Sequence, residues 1–508
     1  MFNRNSVIDE VNNYPNLSPQ QQYKKYPLFF NKLKFEKFRN ISNLEIEFNS
    51  PISVITGNNR CGKTTVLLAI VCSHYNFQKR DFTNGVYQRN TWGDLMRFTS
   101  KDIQTEDWTY YVSCRLGENK INEKRGQRKF ATKKWNGVAK KESQIGTPKD
   151  NKTGREVRYI DLDRIVPERE KKYSYFSNLK NDSITPVQKE IEDYISYIMQ
   201  EQYNISFFNS NTNSFSYQNE NNKYSSFNSA SGEDALTRII TEIVSAPKTA
   251  LILIEEIEVG LHPEYLRRLM DVIYNESITK SKQFIITTHS PLVMSLVDSK
   301  SRIFIENRNG IYKAITDVST NEAYSKMDSK SFPLFNLYVE DDISKRIVIE
   351  AIKELNTEIN YIGIKDLIKI VIVGSADKVF NYFEMRKELF SNECAKIGYA
   401  CILDGDMRNL YKDDSGLLFY HYSTLAPEKY LVDTYLKQYP NSSLKYNLMN
   451  INNHFLFNKM VELNLAYSKD EAFSICWKVF KNTEEGKKHI TELKNFLINC
   501  YKHFSPNF

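Results

Sequence analysis

The pattern of apolar and polar positions predicts two stretches in which strands and helices alternate. In the first, the alternation in LKFEKFRNISNLEIEFNSPISVITG predicts strands that lead into a buried strand at residues 52–56, followed by a loop and the apolar helix TTVLLAIVCSHYNF. Downstream, a helix, a buried strand and a second helix are predicted in TRIITEIVSAPKTALILIEEIEVGLHPEYLRRLMDVI. A further strand, which ends in a polar turn, is predicted in QFIITTHSPLVM. Strands that alternate with helices in this way predict a doubly wound α/β core.

A second alternation follows and predicts a separate, smaller α/β domain. It consists of the strand FNLYVEDD, the helix ISKRIVIEAIKEL, the strand IKIVIVG, the helix KVFNYFEMRKEL and the strand YACILDGD. The sequence therefore predicts four segments: an irregular lead-in at residues 1–30, a first α/β domain at 31–325, a second at 326–435, and a helical tail at 436–508.

Composition favours a soluble protein with more than one core. A chain of 508 residues exceeds what one hydrophobic core usually serves, and 41% hydrophobic and 26% charged residues are ordinary values for a globular protein. The N-terminal residues lack the apolar stretch of a signal peptide, and no run of eighteen apolar residues occurs. Seven cysteines without a CxxC pair favour reduced thiols, so we expect a cytoplasmic protein that has no membrane segment.

Basic residues are concentrated in one segment, although the whole chain has a net charge of only +7. Between residues 119 and 158, thirteen Lys or Arg residues stand against four acids. This segment lies in a predicted basic insertion at about residues 119–172. Charge runs are often only solvated, mobile insertions. The alternative is a surface that contacts DNA phosphates, in which case DNA binding should weaken steeply as the salt concentration rises.

A phosphate-binding motif follows the first buried strand. Residues 57–64, GNNRCGKT, fit the pattern G-x-x-x-x-G-K-[ST] between a strand and a helix. Lys63 would reach the β and γ phosphates of ATP, and Thr64 would ligate Mg²⁺. The other candidate residues for binding the nucleotide are Gly57, Asn58, Asn59, Arg60, Cys61, Gly62 and Thr65.

Two further segments supply partners for this motif. Glu255 and Glu256 follow the apolar run at residues 251–254, where an α/β fold places its ligands. Glu255 would hold Mg²⁺ through water, and Glu256 would orient or deprotonate the attacking water. His289 ends the following strand, where it could sense the γ phosphate. A lone histidine there is more often structural, but this order of motifs favours the switch role.

These motifs resemble those of the ATP-binding-cassette (ABC) type ATPases, in the branch shared by structural-maintenance-of-chromosomes (SMC) proteins, their DNA-repair relatives and the overcoming-lysogenization-defect (OLD) nucleases. The phrase IEEIEVGLHPE is similar to that branch's motif, with Ile257 where proline is usual. The resemblance implies that Ser231, Gly232 and Glu233 cap the ATP of a second subunit, although Ala230 stands at the usual serine position. It also implies a homo-oligomer, either a dimer or a tetramer.

Acidic residues at strand ends form the second candidate site. Glu340 follows the strand FNLYV, and Asp404 and Asp406 follow a buried strand in CILDGDMR. Carboxylates two residues apart at a strand end can share a hard cation. With Glu340 they could hold one or two Mg²⁺ or Mn²⁺ ions for phosphodiester cleavage. Strand-end acids are, alternatively, often only solvated turn residues.

The order of these acids resembles the Toprim domain of topoisomerases, primases and OLD nucleases. Glutamate follows the first strand, Gly374 the second and the DxD pair the third. The segment PEKYL at residues 427–431 is similar to a segment found after DxD in the OLD branch, which implies Glu428 as another metal ligand. Asp341 stands where that family has glycine, and Ser344 where it has a second acid.

The preferred interpretation is therefore an ATP-regulated, metal-dependent DNA endonuclease of the OLD type. The resemblance implies a role in bacterial anti-phage defence. The alternative is an ATP-gated sensor or scaffold with a degenerate Toprim domain, which holds and releases a separate effector such as a nuclease, a toxin or a retron component. A second defence-system protein is then a candidate partner. A plain DNA-repair ATPase is less favoured, because no long heptad-patterned coiled coil separates the motifs.

Overall fold

The computed structural model divides the chain into an N-terminal unit, Met1–Val318, and a C-terminal unit, Ser319–Phe508. It describes residues 4–505 apart from 81–85, 100, 103, 117–120, 148–153, 167–169, 171–183, 208–213, 309, 329–331, 359–363 and 391–396. Several of these gaps fall in the predicted basic insertion, so that part of the prediction lies outside the described residues.

Strands outnumber helices in the described part of the N-terminal unit. Its strands are β1 (Leu28–Phe38), β2 (Ile41–Glu47), β3 (Ile52–Gly57), β4 (Asn76–Arg80), β5 (Tyr87–Arg89), β6 (Trp108–Leu116), β7 (Ile121–Arg128), β8 (Trp135–Gly137), β9 (Glu156–Ile160), β10 (Thr185–Pro186), β11 (Asn204–Phe207), β12 (Phe215–Gln218), β13 (Lys223–Ser225), β14 (Leu251–Ile254), β15 (Gln283–Thr287), β16 (Arg302–Arg308) and β17 (Ile311–Thr316). Its helices are α1 (Arg4–Asn12), α2 (Pro19–Lys25), α3 (Lys63–Val71), α4 (Trp92–Leu95), α5 (Lys189–Met199), α6 (Ser231–Ser245), α7 (Pro263–Lys280) and α8 (Pro291–Ser295).

An eight-stranded sheet forms the centre of this unit, in the order β17-β16-β3-β15-β14-β9-β4-β5. The strands from β16 to β4 run parallel, and the edge strands β17 and β5 pair antiparallel with their neighbours. β3, β14 and β15 are buried along their whole length, as expected of inner strands in a parallel sheet. The predicted α/β core is confirmed, and the ends of these three strands carry the predicted phosphate-binding loop, Glu255 and His289.

Two antiparallel sheets accompany the central one. The first has the order β2-β1-β6-β7-β8, and the second, smaller one has the order β10-β11-β12-β13. A single hydrophobic core contains side chains from the first antiparallel sheet, from α3 and from the central sheet. Helix α3 is apolar on most of its surface because it lies within this core.

The N-terminal residues differ from the predicted irregular lead-in, because they form α1, the short 3-10 helix Tyr14–Asn16 and α2. A capping box starts α2: the Ser18 hydroxyl accepts from the Gln21 N–H at 3.3 Å, and the Gln21 side chain accepts from the Ser18 N–H at 3.0 Å. Buried rings anchor the segment, with Tyr14 stacked on Phe29 at 5.1 Å. The sequence did not predict these helices, because Asn and Gln are frequent in this segment and only a few of its side chains are buried.

The described part of the basic insertion also differs from a mobile segment. It contributes β7 and β8 to an antiparallel sheet and β9 to the interior of the central sheet. Arg128, Arg155 and Arg158 are buried, with 7%, 5% and 7% exposure. Arg155, for example, donates to the Thr249 carbonyl at 2.9 Å and therefore holds the fold together instead of facing solvent. The exposed basic residues of this segment include Arg125, Lys129, Lys133, Lys134, Lys140 and Lys141.

The C-terminal unit is built on a parallel sheet with the order β19-β18-β20-β21. Its strands are β18 (Phe335–Val339), β19 (Ile368–Ile372), β20 (Gly398–Leu403) and β21 (Leu418–Tyr420). Its helices are α9 (Thr320–Met327), α10 (Asp342–Leu355), α11 (Ala376–Leu389), α12 (Pro427–Gln438), α13 (Ser442–Asn450), α14 (Leu456–Glu462), α15 (Lys469–Phe480) and α16 (Glu484–Phe504).

The helices of the predicted tail share one hydrophobic core with this sheet. The Phe504 ring of α16 stacks on Phe335 of β18 at 6.0 Å, and Phe496 stacks on Phe419 of β21 at 5.1 Å. The tail therefore belongs to the same unit as the sheet. In neither unit does a described helix have the length and apolar character needed to cross a membrane.

Candidate nucleotide and metal sites

The loop between β3 and α3 has a backbone that requires glycine at two positions. Gly57 has φ +150°, and a Cβ there would lie 2.3 Å from the Ile305 carbonyl oxygen. Gly62 has φ +99°, and a Cβ there would lie 2.6 Å from the Ile41 side chain. The loop turns directly into the N-terminus of α3, which begins at Lys63. A helix N-terminus favours an anion, so the local structure suits a phosphate group.

Lys63 lies at the centre of the site and is only 7% exposed. Its ammonium group donates to the Gly57 carbonyl at 3.2 Å and lies 2.7 Å from Nε2 of His289. It also lies 3.8 Å from a carboxylate oxygen of Glu256. The structure therefore places His289 and Glu256, two of the predicted nucleotide-site residues, beside the ammonium group of a third, Lys63.

Thr64 and Glu255 form a second contact across the sheet. The Thr64 hydroxyl donates to Glu255 Oε1 at 2.5 Å, and the Tyr159 hydroxyl donates to Glu255 Oε2 at 2.8 Å. Tyr159 lies on β9, next to β14. A hydroxyl and a carboxylate in this arrangement are the oxygen ligands that Mg²⁺ prefers.

Glu256 occupies a constrained position immediately after Glu255. It has φ +44°, and its N–H donates to the Thr287 hydroxyl at 2.9 Å. Arg164, which is 1% exposed, donates to the carbonyls of Glu255 and Glu256 at 2.8 and 2.6 Å. Burial raises the pKa of Glu256 to about 7; the charge of Glu258 adds to this and that of Lys63 opposes it. A carboxyl group with this pKa can exchange a proton near neutral pH.

His289 is fixed by a carboxylate that the sequence interpretation did not single out. Glu258 accepts from the His289 N–H at 2.6 Å and from the Thr288 hydroxyl at 2.7 Å. Nε2 of His289 lies 3.4 Å from the Glu256 carboxylate. Burial, with the neighbouring Lys63 charge, lowers the pKa of His289, which keeps the imidazole neutral at physiological pH.

Arg164 is linked in turn to helix α6, where the predicted signature segment begins. Arg238 of α6 donates to the Arg164 and Val166 carbonyls at 3.0 Å each and pairs with Asp234 at 2.7 Å. Ser231 is exposed at the start of α6. Gly232 lies so close to Gly260 that a Cβ would be 2.6 Å from its carbonyl oxygen.

Glu233, the last residue of that segment, is buried and accepts from the Tyr224 hydroxyl at 2.5 Å. Burial raises the pKa of Glu233. The structure therefore places Ser231 at the surface and Glu233 in the interior.

The C-terminal acids meet where β18 and β20 end side by side. The Asp404 N–H donates to Glu340 Oε1 at 2.7 Å. Burial raises the pKa of Glu340 to about 7. Burial, reinforced by the charges of Glu340 and neighbouring acids, raises the pKa of Asp404 to about 9. Asp404 is 4% exposed, whereas Asp406 lies at the surface in the 3-10 helix Gly405–Met407.

Two buried oxygens in this cluster have no hydrogen-bond partner, namely Asp404 Oδ1 and Glu428 Oε2. A divalent cation would compensate such oxygens, so the residues present fit a metal ion. In the described part of the chain, the metal-ligating atoms of Asp341, Glu428 and His454 lie within 4.8 Å of one another. Glu340, Asp404 and Asp406 do not form an equally tight group there.

Sequence reasoning did not identify Tyr159, Arg164, Glu258 or His454 as site residues. Glu258 could have been found, because it lies inside the motif IEEIEVGLHPE. Tyr159 and Arg164 lie in the segment interpreted as a basic insertion, and His454 lies in the tail, where no motif indicated a role.

Part of the chain is similar to known ATPases. Residues 163–295 match the family model described as "AAA domain, putative AbiEii toxin, Type IV TA system". The retron Vc95 probable ATPase of Vibrio cholerae serotype O1 biovar El Tor is 24% identical over 183 residues, which are 32% of this chain and 35% of that protein. The DNA replication and repair protein RecF of Clostridium acetobutylicum is 42% identical over 43 residues, 8% of this chain and 12% of that protein.

Solved structures also overlay on this chain. The SMC head domain from Thermotoga maritima covers 57% of this chain and 98% of its own length, with 16% identity and a TM-score of 0.36. The ATP complex of the recombination mediator protein RecF covers 57% and 99%, with 12% identity and a TM-score of 0.33. The chain spans about a third of the retron relative and less of RecF. The region that matches the AAA family model contains Arg164, Glu255, Glu256 and His289, so the chain is similar to AAA-type ATPase domains over one part of its candidate nucleotide site.

Proposed function

We propose that the N-terminal unit binds ATP with Mg²⁺ and hydrolyses it. The observation that carries this proposal is the convergence of three separate segments on one point: Lys63 lies 2.7 Å from His289, and Thr64 lies 2.5 Å from Glu255. The similarity to AAA-type ATPase domains and to the retron ATPase supports the same function.

Each side chain has a role that follows from its position. Lys63 neutralises the phosphates, and Thr64 and Glu255 would hold Mg²⁺, which supplies further positive charge to the phosphate oxygens. Glu256 accepts a proton from the attacking water, for which a pKa of about 7 is well suited. The neutral His289 ring is placed to hydrogen-bond the γ phosphate and to leave Lys63 when that phosphate is present.

Substitution of Glu256 separates hydrolysis from binding. Glu256→Gln should lower ATP hydrolysis by about 10²- to 10⁴-fold and leave ATP binding intact, whereas Lys63→Ala should abolish binding. Phosphate release and fluorescence of a labelled ATP analogue measure the two quantities. Glu264→Gln, an exposed acid in the first turn of α7, is the matched control and should behave as wild type. Wild-type hydrolysis by Glu256→Gln would exclude Glu256 as the proton acceptor.

We also propose that the N-terminal unit is of the ABC type and pairs with a second copy. The exposed position of Ser231 at the start of α6 supports contact with a nucleotide bound to another subunit. Sedimentation of Glu256→Gln with and without ATP tests this, since ATP should convert a smaller species into a dimer or tetramer. A mass that does not change with ATP would contradict nucleotide-driven pairing.

For the C-terminal unit we propose a Toprim-like site that cleaves DNA under control of the nucleotide state. The contact between Glu340 and Asp404 and the unpartnered Asp404 oxygen support it. Glu340, Asp404, Asp406 and Glu428 would hold Mg²⁺ or Mn²⁺, which supplies an activated water and stabilises the leaving oxygen. Asp404→Ala should abolish cleavage of plasmid, nicked and single-stranded DNA, and the exposed Asp414→Ala should not. A protein that binds ATP and cleaves none of these substrates would contradict the proposal.

A second candidate function is an ATP-gated subunit of a bacterial defence system that holds a separate effector. Ser344 stands where the Toprim family has a second acid, and a serine offers no carboxylate to a metal ion. Its hydroxyl is instead buried, 2.7 Å from Nε2 of His421. The similarity to the retron ATPase favours the same function. Cells that carry the protein with its neighbouring genes distinguish the two candidates: Asp404→Ala should remove phage protection if cleavage is the function and preserve it if the protein is a scaffold.

A further inference from the structure

Three metal-ligating side chains from distant parts of the C-terminal unit meet beside the Glu340–Asp404 pair. Asp341 precedes α10, Glu428 lies in the first turn of α12, and His454 lies in the 3-10 helix Asn453–Phe455. Their ligand atoms all lie within 4.8 Å of one another. An octahedral ion with bonds of about 2.1 Å spaces adjacent ligands about 3.0 Å apart and opposite ligands about 4.2 Å apart. The group is therefore close to the size of a coordination shell.

Glu428 provides an independent reason to expect a cation. Its side chain is 3% exposed, and Oε2 has no hydrogen-bond partner. The other oxygen lies 3.0 Å from Nδ1 of His454, which is also the spacing of adjacent ligands around one ion. Among the described residues, the ion-pair partner of Glu428 is this histidine. A buried carboxylate oxygen without a donor is costly, and a bound cation removes that cost.

The carboxylate of Asp341 is positioned beside the other two ligands by a hydrogen bond to the backbone. One of its oxygens, Oδ1, accepts from the Ser344 N–H at 2.9 Å and so caps α10. The cap fixes the carboxylate and leaves its second oxygen for a ligand. His454 is 61% exposed, so an ion can reach the group from solvent.

We propose that Asp341, Glu428 and His454 bind one divalent first-row transition-metal ion, such as Mn²⁺, in preference to Mg²⁺. Imidazole suits transition-metal ions, whereas Mg²⁺ prefers oxygen ligands alone. This site deepens the proposed metal-dependent role of the C-terminal unit and rests on it, and it extends that role to a histidine from the helical tail.

Binding of Mn²⁺ to the full-length, metal-free protein without nucleotide tests the site. Electron paramagnetic resonance (EPR) measures free Mn²⁺, and pulsed EPR detects a nitrogen ligand on the bound ion. The wild type should show nitrogen coupling, and His454→Gln should lose it and bind Mn²⁺ at least about tenfold more weakly. His503→Gln, an exposed histidine of the same unit, is the matched control and should retain both properties.

Substitution of neighbouring aspartates provides a second pair of variants. Asp341→Asn keeps an oxygen that can cap α10, so the fold should survive while Mn²⁺ affinity falls. Asp342→Asn removes the next, exposed acid and should leave Mn²⁺ affinity unchanged. Equal Mn²⁺ affinity in wild type, His454→Gln and Asp341→Asn would overturn the proposal. Nitrogen coupling that persists in His454→Gln would also overturn it.

The same proteins separate failure of this site from failure of the proposed cleavage. If Mn²⁺ binds through His454 and no DNA is cleaved, the metal site stands and the nuclease proposal fails. If Mg²⁺-dependent cleavage is identical in wild type and His454→Gln, and nitrogen coupling is absent, the nuclease stands and this site fails.

Discussion

Replacement of Asp404 by asparagine should make the C-terminal unit less sensitive to pH. Asp404 is 4% exposed, and Oδ1 lacks a hydrogen-bond partner. Burial first, and then the charge of Glu340, raise its pKa from an ordinary value of 3.8 to about 9. At neutral pH the folded protein therefore keeps a proton on Asp404 that the unfolded chain releases. The stabilisation from this proton is complete below the ordinary pKa and is lost as the pH rises towards 9.

The magnitude follows from proton linkage. One proton taken up on folding lowers the free energy of unfolding by about 1.4 kcal/mol per pH unit within that window. Between about pH 6 and about pH 8, the free energy of unfolding of the metal-free wild type should fall by about 2 kcal/mol more than that of Asp404→Asn. The upper limit for one proton over about two pH units is about 2.7 kcal/mol. The neutral amide has no ionised state to disfavour at this buried position.

Urea unfolding in the presence of a chelator measures this difference. Fluorine NMR of protein that contains fluorinated tryptophan reports on the C-terminal unit, because Trp477 is its one tryptophan among the four of the chain. Asp414→Asn, which changes an exposed aspartate, should keep the pH dependence of the wild type. Parallel pH dependence in wild type and Asp404→Asn would refute the reasoning. Mn²⁺ should reverse the loss at the higher pH, since a cation stabilises the ionised carboxylate.

Three further predictions concern the N-terminal unit. Glu276→Ala should lower the free energy of unfolding of this unit by about 3–5 kcal/mol, measured by thermal or urea unfolding. The reason is that Lys282 is fully buried and pairs with Glu276 at 2.6 Å, so the substitution removes its counter-charge. A loss below about 1 kcal/mol would contradict this. For ATP hydrolysis, kcat/KM should fall about tenfold per pH unit below about pH 7 as Glu256 is protonated, and an unchanged rate at about pH 5 would exclude this group as the base. Replacement of the exposed Lys133 and Lys134 by glutamate should weaken DNA binding at low salt and reduce its salt dependence in a fluorescence anisotropy assay, and unchanged affinity would remove the basic segment from DNA binding.

The sequence predicted which residues of the candidate nucleotide site lie together, because they stand near the ends of strands with strong local patterns. The loop that leads to Lys63, as well as Glu255 and His289, follows a buried inner strand, and parallel strands bring such ends to one edge of the sheet. The same reasoning placed Glu340 and Asp404 together at the ends of β18 and β20. In both cases, local pattern and sheet topology were enough to predict which side chains lie close together.

The supporting side chains could not be predicted in this way, because their contacts join positions far apart in the chain. Tyr159 bonds Glu255 across ninety-six positions, and His454 reaches Glu428 across twenty-six. β9 was missed because Arg155, immediately before it, and Arg158, at its centre, look like surface residues. Their charge is tolerated in the interior through hydrogen bonds and ion pairs, which a hydropathy pattern does not record.

Two buried arginines connect the backbone of Glu255 and Glu256 to helix α6: Arg164 donates to the carbonyls of these two glutamates, and Arg238 of α6 donates to the Arg164 carbonyl. Both side chains are 1% exposed, so neither can swing into water without breaking buried hydrogen bonds. A backbone displacement at Glu256 must therefore either move Arg164 and with it α6, or break the buried hydrogen bond that Arg164 donates to the Glu256 carbonyl. If ATP binds beside Glu256 as proposed, a small movement of the Glu256 backbone would reach, through these buried hydrogen bonds, the helix that begins at Ser231.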